Sequence, residues 1–492
     1  MILINKECFN NKVHKNIDGE LYKWYKLAMI DKISNKYSSN GEPSQYASEK
    51  NKKNYDINKD YIKNTIIPFL EKEKGIIDKE LVEVLLVGDF IGNLASLPEG
   101  SMNGKIGVYW IKIIGYYALA KFVFYDYKKL KDNIIEFAQK NKLKNKECII
   151  QIENRLNAEI TKFNYNHKKF KIILEMPQIE YKGLMKLNRD NFIIKCMKNF
   201  EKIIGIELQG NMKFYTNSSG DINKIFNINN FNEMLSYFIN YEMLEDEQRH
   251  IILNTLNVQV CPYCNRQYIT SYKPSKNKND KINTLATADL DHFYPKAKFQ
   301  LFSLSLYNFV PACQICNSRM KNDRPIEILY PYTECFGDEV KFEVLPIDKK
   351  NESKALLDLL YGKDDVLKLE KYKININMSR VSDDKKKSHI EGSIEMFQLE
   401  QVYQSHKEYA AEIIRTQAIY DNSVHDSVMN VLFNDENRNI NVNSILTHLD
   451  ENSHEEFSEN EKKRILYGIN IEDKNQELKK PLTKLTRDIL NL

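Results

Sequence analysis

CPYCNR, residues 261–266, and CQIC, residues 313–316, decide how this chain is read. A single Cys-x-x-Cys pair serves either dithiol redox chemistry or metal binding. Two such pairs, separated by 48 residues between Cys264 and Cys313, fit a closed tetrahedral zinc site with four thiolate ligands. The predicted ligands are Cys261, Cys264, Cys313 and Cys316, around a structural Zn²⁺. The chain has eight cysteines, and Cys8, Cys148, Cys196 and Cys335 stand singly, as small buried apolar residues do.

Cys-Pro-Tyr-Cys is also the active-site tetrapeptide of glutaredoxins, where a helix follows it. Here NRQYITSY follows, rich in β-branched and aromatic residues, and the spacing predicts a β-hairpin over about 258–272. The start, MILINKECFNNKVHKN, has no basic segment ahead of an apolar one, so no secretory signal is read there. The most apolar stretch, 109–127, is interrupted by Lys112 and Lys121 and reads as a buried helix rather than a membrane span. A cytoplasmic location with reduced thiols is the expectation.

Working outward, 492 residues allow two to four domains, and 42% hydrophobic residues suffice for packed cores. The net charge of +4 is small for this length, so contact with nucleic acid must come from local basic patches. One local excess lies in 121–171, with 13 Lys or Arg against 6 Asp or Glu, which reads first as a solvated helix surface. The expected class is mainly α with a small α+β module. Residues 1–57 read as a short helix and a polar linker, with 35–57 a loop. A helical domain of unassigned role follows over 58–250, then a zinc-pinned module over 251–340, then a helical region over 341–492. Within the last, VKFEVLPI suggests one strand, and residues 394–420 a single long amphipathic helix.

A closed site of four thiolates performs no chemistry, so function must lie in the loop that it pins. That loop contains Asp291-His292, then Asn308, then Asn317 directly after the last cysteine. Singly, Asp-His is a surface pair, Asn308 a turn residue and Asn317 a helix N-cap. In the order LDHFYPK, LYNFVPAC and CNSR, they resemble the HNH endonuclease family. The resemblance implies a ββα-metal core in which Asp291 and Asn317 bind a catalytic Mg²⁺ or Mn²⁺. It makes His292 the general base and Asn308 the residue that fixes the loop. A lysine often stands three residues after the third motif position. Met320 occupies that slot here, and Lys321 follows it without an assigned catalytic role.

CPYCNRQYI, ILYPYTECF and LEQVYQSHKEYAAEII extend the likeness over about 250–425, to the PtuB-like HNH subunits of Septu-type anti-phage systems. The resemblance therefore implies a defence nuclease and an SMC/ABC-type ATPase partner. The chain has no phosphate-binding loop of its own. Nucleic acid is the expected substrate, DNA first, although no residue separates DNA from RNA. Candidate phosphate contacts are Arg266, Lys296, Lys298, Arg319, Lys321 and Arg324, and Tyr268, Tyr272 and Tyr294 are candidates for base stacking or for sheet packing. His406 reads as a packed histidine, and His250 receives no role. The helical flanks suit packing on a partner or on a second copy. The alternative is a non-catalytic, zinc-stabilised regulatory subunit.

Overall fold

The structure, a computed structural model, describes residues 1–13, 20–91, 112–113, 116–117, 120–121, 124–125, 228–272, 285–324, 326–347, 371–419, 464, 467 and 476–490. It is mainly helical, with small two-stranded sheets. Most of the 121–171 basic stretch and the loop after Tyr272 lie outside the described residues.

Helix α1 (Leu21–Ser38) buries Leu21, Tyr25, Met29 and Ile33, one residue per turn, along a single face. Residues 49–57, expected as loop, form helix α2 (Glu49–Ile57). The hydroxyl of Ser48 caps it by accepting from the Asn51 amide, and Tyr55 supplies its one buried contact. A short antiparallel pair follows, β1 (Glu71–Glu73) with β2 (Ile76–Ile77), and then helix α3 (Lys79–Val87), capped by the Asp78 carboxylate. In 109–127 the described residues Ile113, Tyr116, Tyr117, Ala120, Phe124 and Tyr125 are all buried, at the spacing of one helix face. Lys112 is buried with them and donates to the Glu71 carbonyl at 2.6 Å. Among the described residues, no helix is long and apolar enough to cross a membrane.

Helix α4 (Ile228–Leu235) and helix α5 (Asp246–Leu256) lead to the first cysteine pair. The predicted hairpin here is reduced to one bridge, Val260 with Tyr268, because the Cys261–Cys264 turn takes up the intervening chain. Strand β3 (Ser271–Tyr272) pairs with β4 (Leu285–Ala286), and β5 (Ala288–His292) pairs antiparallel with β6 (Phe309–Cys313). The β5–β6 register sets Ala288 opposite Cys313 and His292 opposite Phe309. Pro311 is tolerated in β6 because, among the described residues, this sheet has two strands, so one edge needs no N–H donor. Residues 315–321 then form a wide helical turn, closed by the Asn322 amide on the Asn317 carbonyl at 2.7 Å.

The predicted strand near 341 is β7 (Lys341–Pro346), and its partner is β8 (Tyr372–Asn377). The single helix expected over 394–420 is instead divided. Helix α6 (Asp384–Met396) stops at Gln398, whose φ of 49° is left-handed. A short helix and a 3-10 turn then lead into α7 (Lys407–Ile419). The break serves packing: Tyr403 in the 3-10 turn is buried and donates to the Cys264 carbonyl at 2.8 Å. Helix α8 (Thr483–Ile489) closes the described chain.

One continuous core draws on every stretch, from the first residues to Leu485. Phe9 packs on Tyr307 and Tyr332, and the Tyr25 hydroxyl donates to the Leu304 carbonyl at 2.7 Å. The helical flanks are therefore part of the support for the β5–β6 hairpin.

Candidate metal centre and adjoining cleft

Cys261, Cys264, Cys313 and Cys316 are all buried, and their sulfurs lie within 4.8 Å of one another. A Zn–S bond of about 2.3 Å in tetrahedral geometry requires sulfurs roughly 3.8 Å apart, so the cluster fits a zinc ion with little adjustment. Burial pushes the Cys261 thiol well above its ordinary value. Four buried thiols can ionise together only around a cation, which is what a structural Zn²⁺ supplies. Three separate segments hold the first knuckle. Ile2 donates to the Pro262 carbonyl, and Tyr403 holds that of Cys264. Asn265, left-handed at φ 50°, is bonded to residues 477, 482 and 484 near α8.

Tyr263, between the two cysteines, connects zinc knuckle to cleft. Its ring stacks on Phe397 at 4.6 Å, and its hydroxyl donates to Asp291 Oδ2 at 2.6 Å. Asp291 lies on β5 and is 3% exposed. Lys321 Nζ, equally buried, lies 3.0 Å from both carboxylate oxygens and donates to the His292 carbonyl at 2.6 Å.

The position of Lys321 follows from the wide turn. Its extra residue brings Lys321, four after Asn317, onto Asp291, one position beyond the slot that Met320 occupies. Sequence spacing that assumes 3.6 residues per turn misses this. Lys321 is thus buried against Asp291 rather than at the surface, where a phosphate contact was expected.

His292 is buried, its ring edge-on to Tyr241 at 4.7 Å and to Phe309 at 5.3 Å. Its Nε2 lies 2.9 Å from the Ser303 carbonyl, which can only accept, so Nε2 carries the proton. Nδ1 is then the basic nitrogen, and it has no partner among the described residues. Burial, reinforced by Lys296, Lys321 and Arg249, lowers the proton affinity of the ring to a pKa of about 3. Asn308 is fully buried and satisfied: Oδ1 accepts from the Tyr294 amide at 2.8 Å, and Nδ2 donates to the carbonyls of Tyr294 and Phe302. It clamps the 293–308 loop that carries the Ser303 carbonyl.

Asn317 Nδ2 donates to Asp289 Oδ2 at 3.0 Å. Asp289 was missed in the sequence, although it shares a strand face with Asp291 two residues on. By taking the amide N–H, it leaves Asn317 Oδ1 as the available oxygen. Asp289, Asp291, His292 and Asn317 line one cleft of about 640 Å³. Apart from the four cysteines, no group of three or more His, Cys, Asp or Glu side chains among the described residues is arranged to hold a metal. One carboxylate and one amide oxygen suit Mg²⁺ or Mn²⁺, which bind few protein ligands and keep several waters.

Of the six candidate phosphate contacts, Lys296 lines this cleft. Arg266 donates to His406 Nε2 at 2.7 Å and to Ser405, Lys298 is tied to Asp323, and Arg324 bonds the carbonyls of Met320 and Met396. Arg319 is exposed on the wide turn. Arg249 also lines the cleft and was not foreseen; it and Lys296 each lie over the Tyr241 ring, at 4.6 and 4.8 Å. Tyr268 is exposed, whereas Tyr294 is packed among rings with its hydroxyl on that of Tyr117. His250, in the same cleft, lies 2.7 Å from the Ser271 hydroxyl. No family model matches this chain, nor does any curated protein or solved structure.

Proposed function

We propose that this chain is a metal-dependent HNH endonuclease of ββα-metal type, and that it serves as the effector nuclease of a bacterial anti-phage system. One observation carries the reading. Asp291, His292 and Asn317, named from motif order alone, line a single cleft, with His292 held in a defined tautomer by a loop that Asn308 clamps. The defence role rests on the resemblance of the wider motifs to PtuB-like subunits, and with it the SMC/ABC-type ATPase as partner.

In this reading Asp291 and Asn317 would hold the Mg²⁺ or Mn²⁺. Bound there, the ion would supply charge stabilisation for the phosphate and the leaving oxygen. His292 Nδ1 takes the proton of the attacking water while Nε2–H stays on Ser303. Arg249 and Lys296 orient the strand through its phosphates without reading bases. Tyr263 fixes Asp291, so the zinc knuckle acts on the site through one hydroxyl. A non-catalytic regulatory subunit is the second reading, favoured by one contact: the Lys321 ammonium already balances the charge of Asp291.

The test is His292→Ala against wild type, on plasmid and RNA substrates with Mg²⁺ or Mn²⁺. Cutting should fall by roughly 10²- to 10⁴-fold while zinc content and nucleic-acid binding are kept. Equal cutting by the variant removes His292 as base, and no cutting by either protein with any partner ATPase favours the regulatory reading.

A further inference from the structure

Asp291 is fully engaged by the protein's own groups. Lys321 Nζ lies 3.0 Å from both of its oxygens, the Tyr263 hydroxyl donates to Oδ2 at 2.6 Å, and both charged side chains are buried. A carboxylate–Mg²⁺ bond is about 2.0–2.1 Å long, so an ion bound here would stand next to the ammonium, cation against cation, where burial leaves little screening. We infer that Lys321 is a displaceable counter-ion: it holds Asp291 while no metal does, and gives way to the divalent ion by turning into a cavity behind it. The inference rests on the metal role proposed above for Asp291.

The fold supplies the place to turn to. Asp291 lines the cleft and Lys321 does not; Lys321 lines a separate cavity of about 220 Å³. One water needs roughly 10–15 Å³, so an ammonium fits there with waters around it. Tyr125, Tyr294 and Tyr330 line this space with rings, and Glu327 and Glu334 with carboxylates, two kinds of group that attract an ammonium. Burial, then Tyr294, Glu327 and Asp291, push the Tyr125 hydroxyl upward, so this side chain feels both the carboxylate that Lys321 holds now and one that it would approach. Lysine suits such a motion, as a point charge on a flexible four-carbon stem.

The cavity is the poorer home of the two. Glu327 is paired with Lys121 at 2.8 Å and Glu334 with His389 at 3.1 Å, and Arg324 lies 3.9 Å from Glu395. The exposed Lys385 lies in the same wall. The acidic groups there are matched, so an added ammonium gains less than it does on Asp291, where it also donates to the His292 carbonyl at 2.6 Å. That ordering is what a counter-ion requires: Lys321 stays on Asp291 until a doubly charged ion replaces it. The difference between the two homes lowers the metal's affinity, because a ligand that binds a minor state is weakened by the rarity of that state. Release of Lys321 also frees the backbone carbonyl of the candidate base, which links metal arrival to the setting of His292.

The experiment measures Mn²⁺ binding to the full-length, zinc-loaded chain by electron paramagnetic resonance of the free ion, which needs neither substrate nor cutting. Lys321→Met should bind Mn²⁺ tighter than wild type by about tenfold or more. Lys321→Met with Asp291→Asn should lose the site. Glu327→Gln makes the cavity a still poorer home for the ammonium, so it should weaken binding by roughly two- to tenfold in wild type and leave the Lys321→Met chain unchanged. A merely structural role for Glu327 would shift both backgrounds alike. Equal affinity in wild type and Lys321→Met, with the site lost in the double variant, overturns this inference and leaves the metal reading standing. A Glu327→Gln effect that is absent from wild type, or equal in both backgrounds, overturns it in the same way. Mn²⁺ bound by none of these chains, or bound by the double variant as tightly as by Lys321→Met, overturns the metal reading and this inference with it.

Discussion

Replacing Lys321 by methionine keeps an unbranched chain one heavy atom shorter and removes the charge. In the native protein the ammonium lies 3.0 Å from both oxygens of Asp291, and both side chains are 3% exposed. At an effective dielectric constant of about 20, that separation corresponds to an attraction of about 5 to 6 kcal/mol, part of which offsets the desolvation of the two charges. Lys321→Met leaves Asp291 with the Tyr263 hydroxyl alone, and an uncompensated buried charge costs about 3 to 5 kcal/mol. For a cooperative unit of about 150–250 residues this is a fall in melting temperature of roughly 6 to 20 °C. The assay is scanning calorimetry of zinc-loaded protein in buffer free of Mg²⁺. Lys321→Met with Asp291→Asn should recover most of the loss, because the orphaned charge is gone. Millimolar Mg²⁺ should restore Lys321→Met, by taking the vacated place beside Asp291, and should not affect the double variant. If Lys321→Met melts within about 2 °C of wild type, or if Mg²⁺ stabilises both variants equally, the roles given to this pair are wrong.

Three further expectations follow from other contacts. Purified protein should hold about one zinc per chain by elemental analysis, and Cys313→Ser should lose it together with the folded state of the hairpin; a zinc-free wild type that melts normally would exclude the four-cysteine site. Asp289→Asn frees the Asn317 amide to turn over, so the Mg²⁺ concentration that half-saturates cutting should rise by roughly 10- to 100-fold, with little change at saturating metal. His406 accepts from Arg266, and burial followed by the Arg266 charge lowers its proton affinity below the ordinary histidine value. The unfolded chain therefore binds the proton more readily, so this contribution is complete above about pH 6.5 and is lost as the pH falls through the folded value. Melting curves from about pH 7.5 to 5 should show a shallower decline for His406→Gln than for wild type, and parallel curves would count against the contact.

What could be read in the chain itself was whatever depends on residue type and order. Cysteine pairing is of this kind, because only a few arrangements of thiolates satisfy a zinc ion, and the four sulfurs do converge. Helix α1 and strand β7 were also legible, since their apolar periodicity or β-rich composition is local. Helix α2 was not, because its polar surface looks like a loop until Ser48 is seen as a cap and Tyr55 as buried. Three decisions belonged to the tertiary structure alone. The wide turn after Cys316 adds one residue and so brings Lys321, not Met320, onto Asp291. The break at Gln398 is fixed by the docking of Tyr403 on the zinc knuckle, against the helical periodicity on either side. Asp289 and Arg249 join the cleft only because β5 and α5 are folded against each other, and no spacing rule connects residues 40 apart. In each case a long-range contact outweighed a local preference worth a few tenths of a kcal/mol to ~1 kcal/mol per residue, as buried partners in a packed core can.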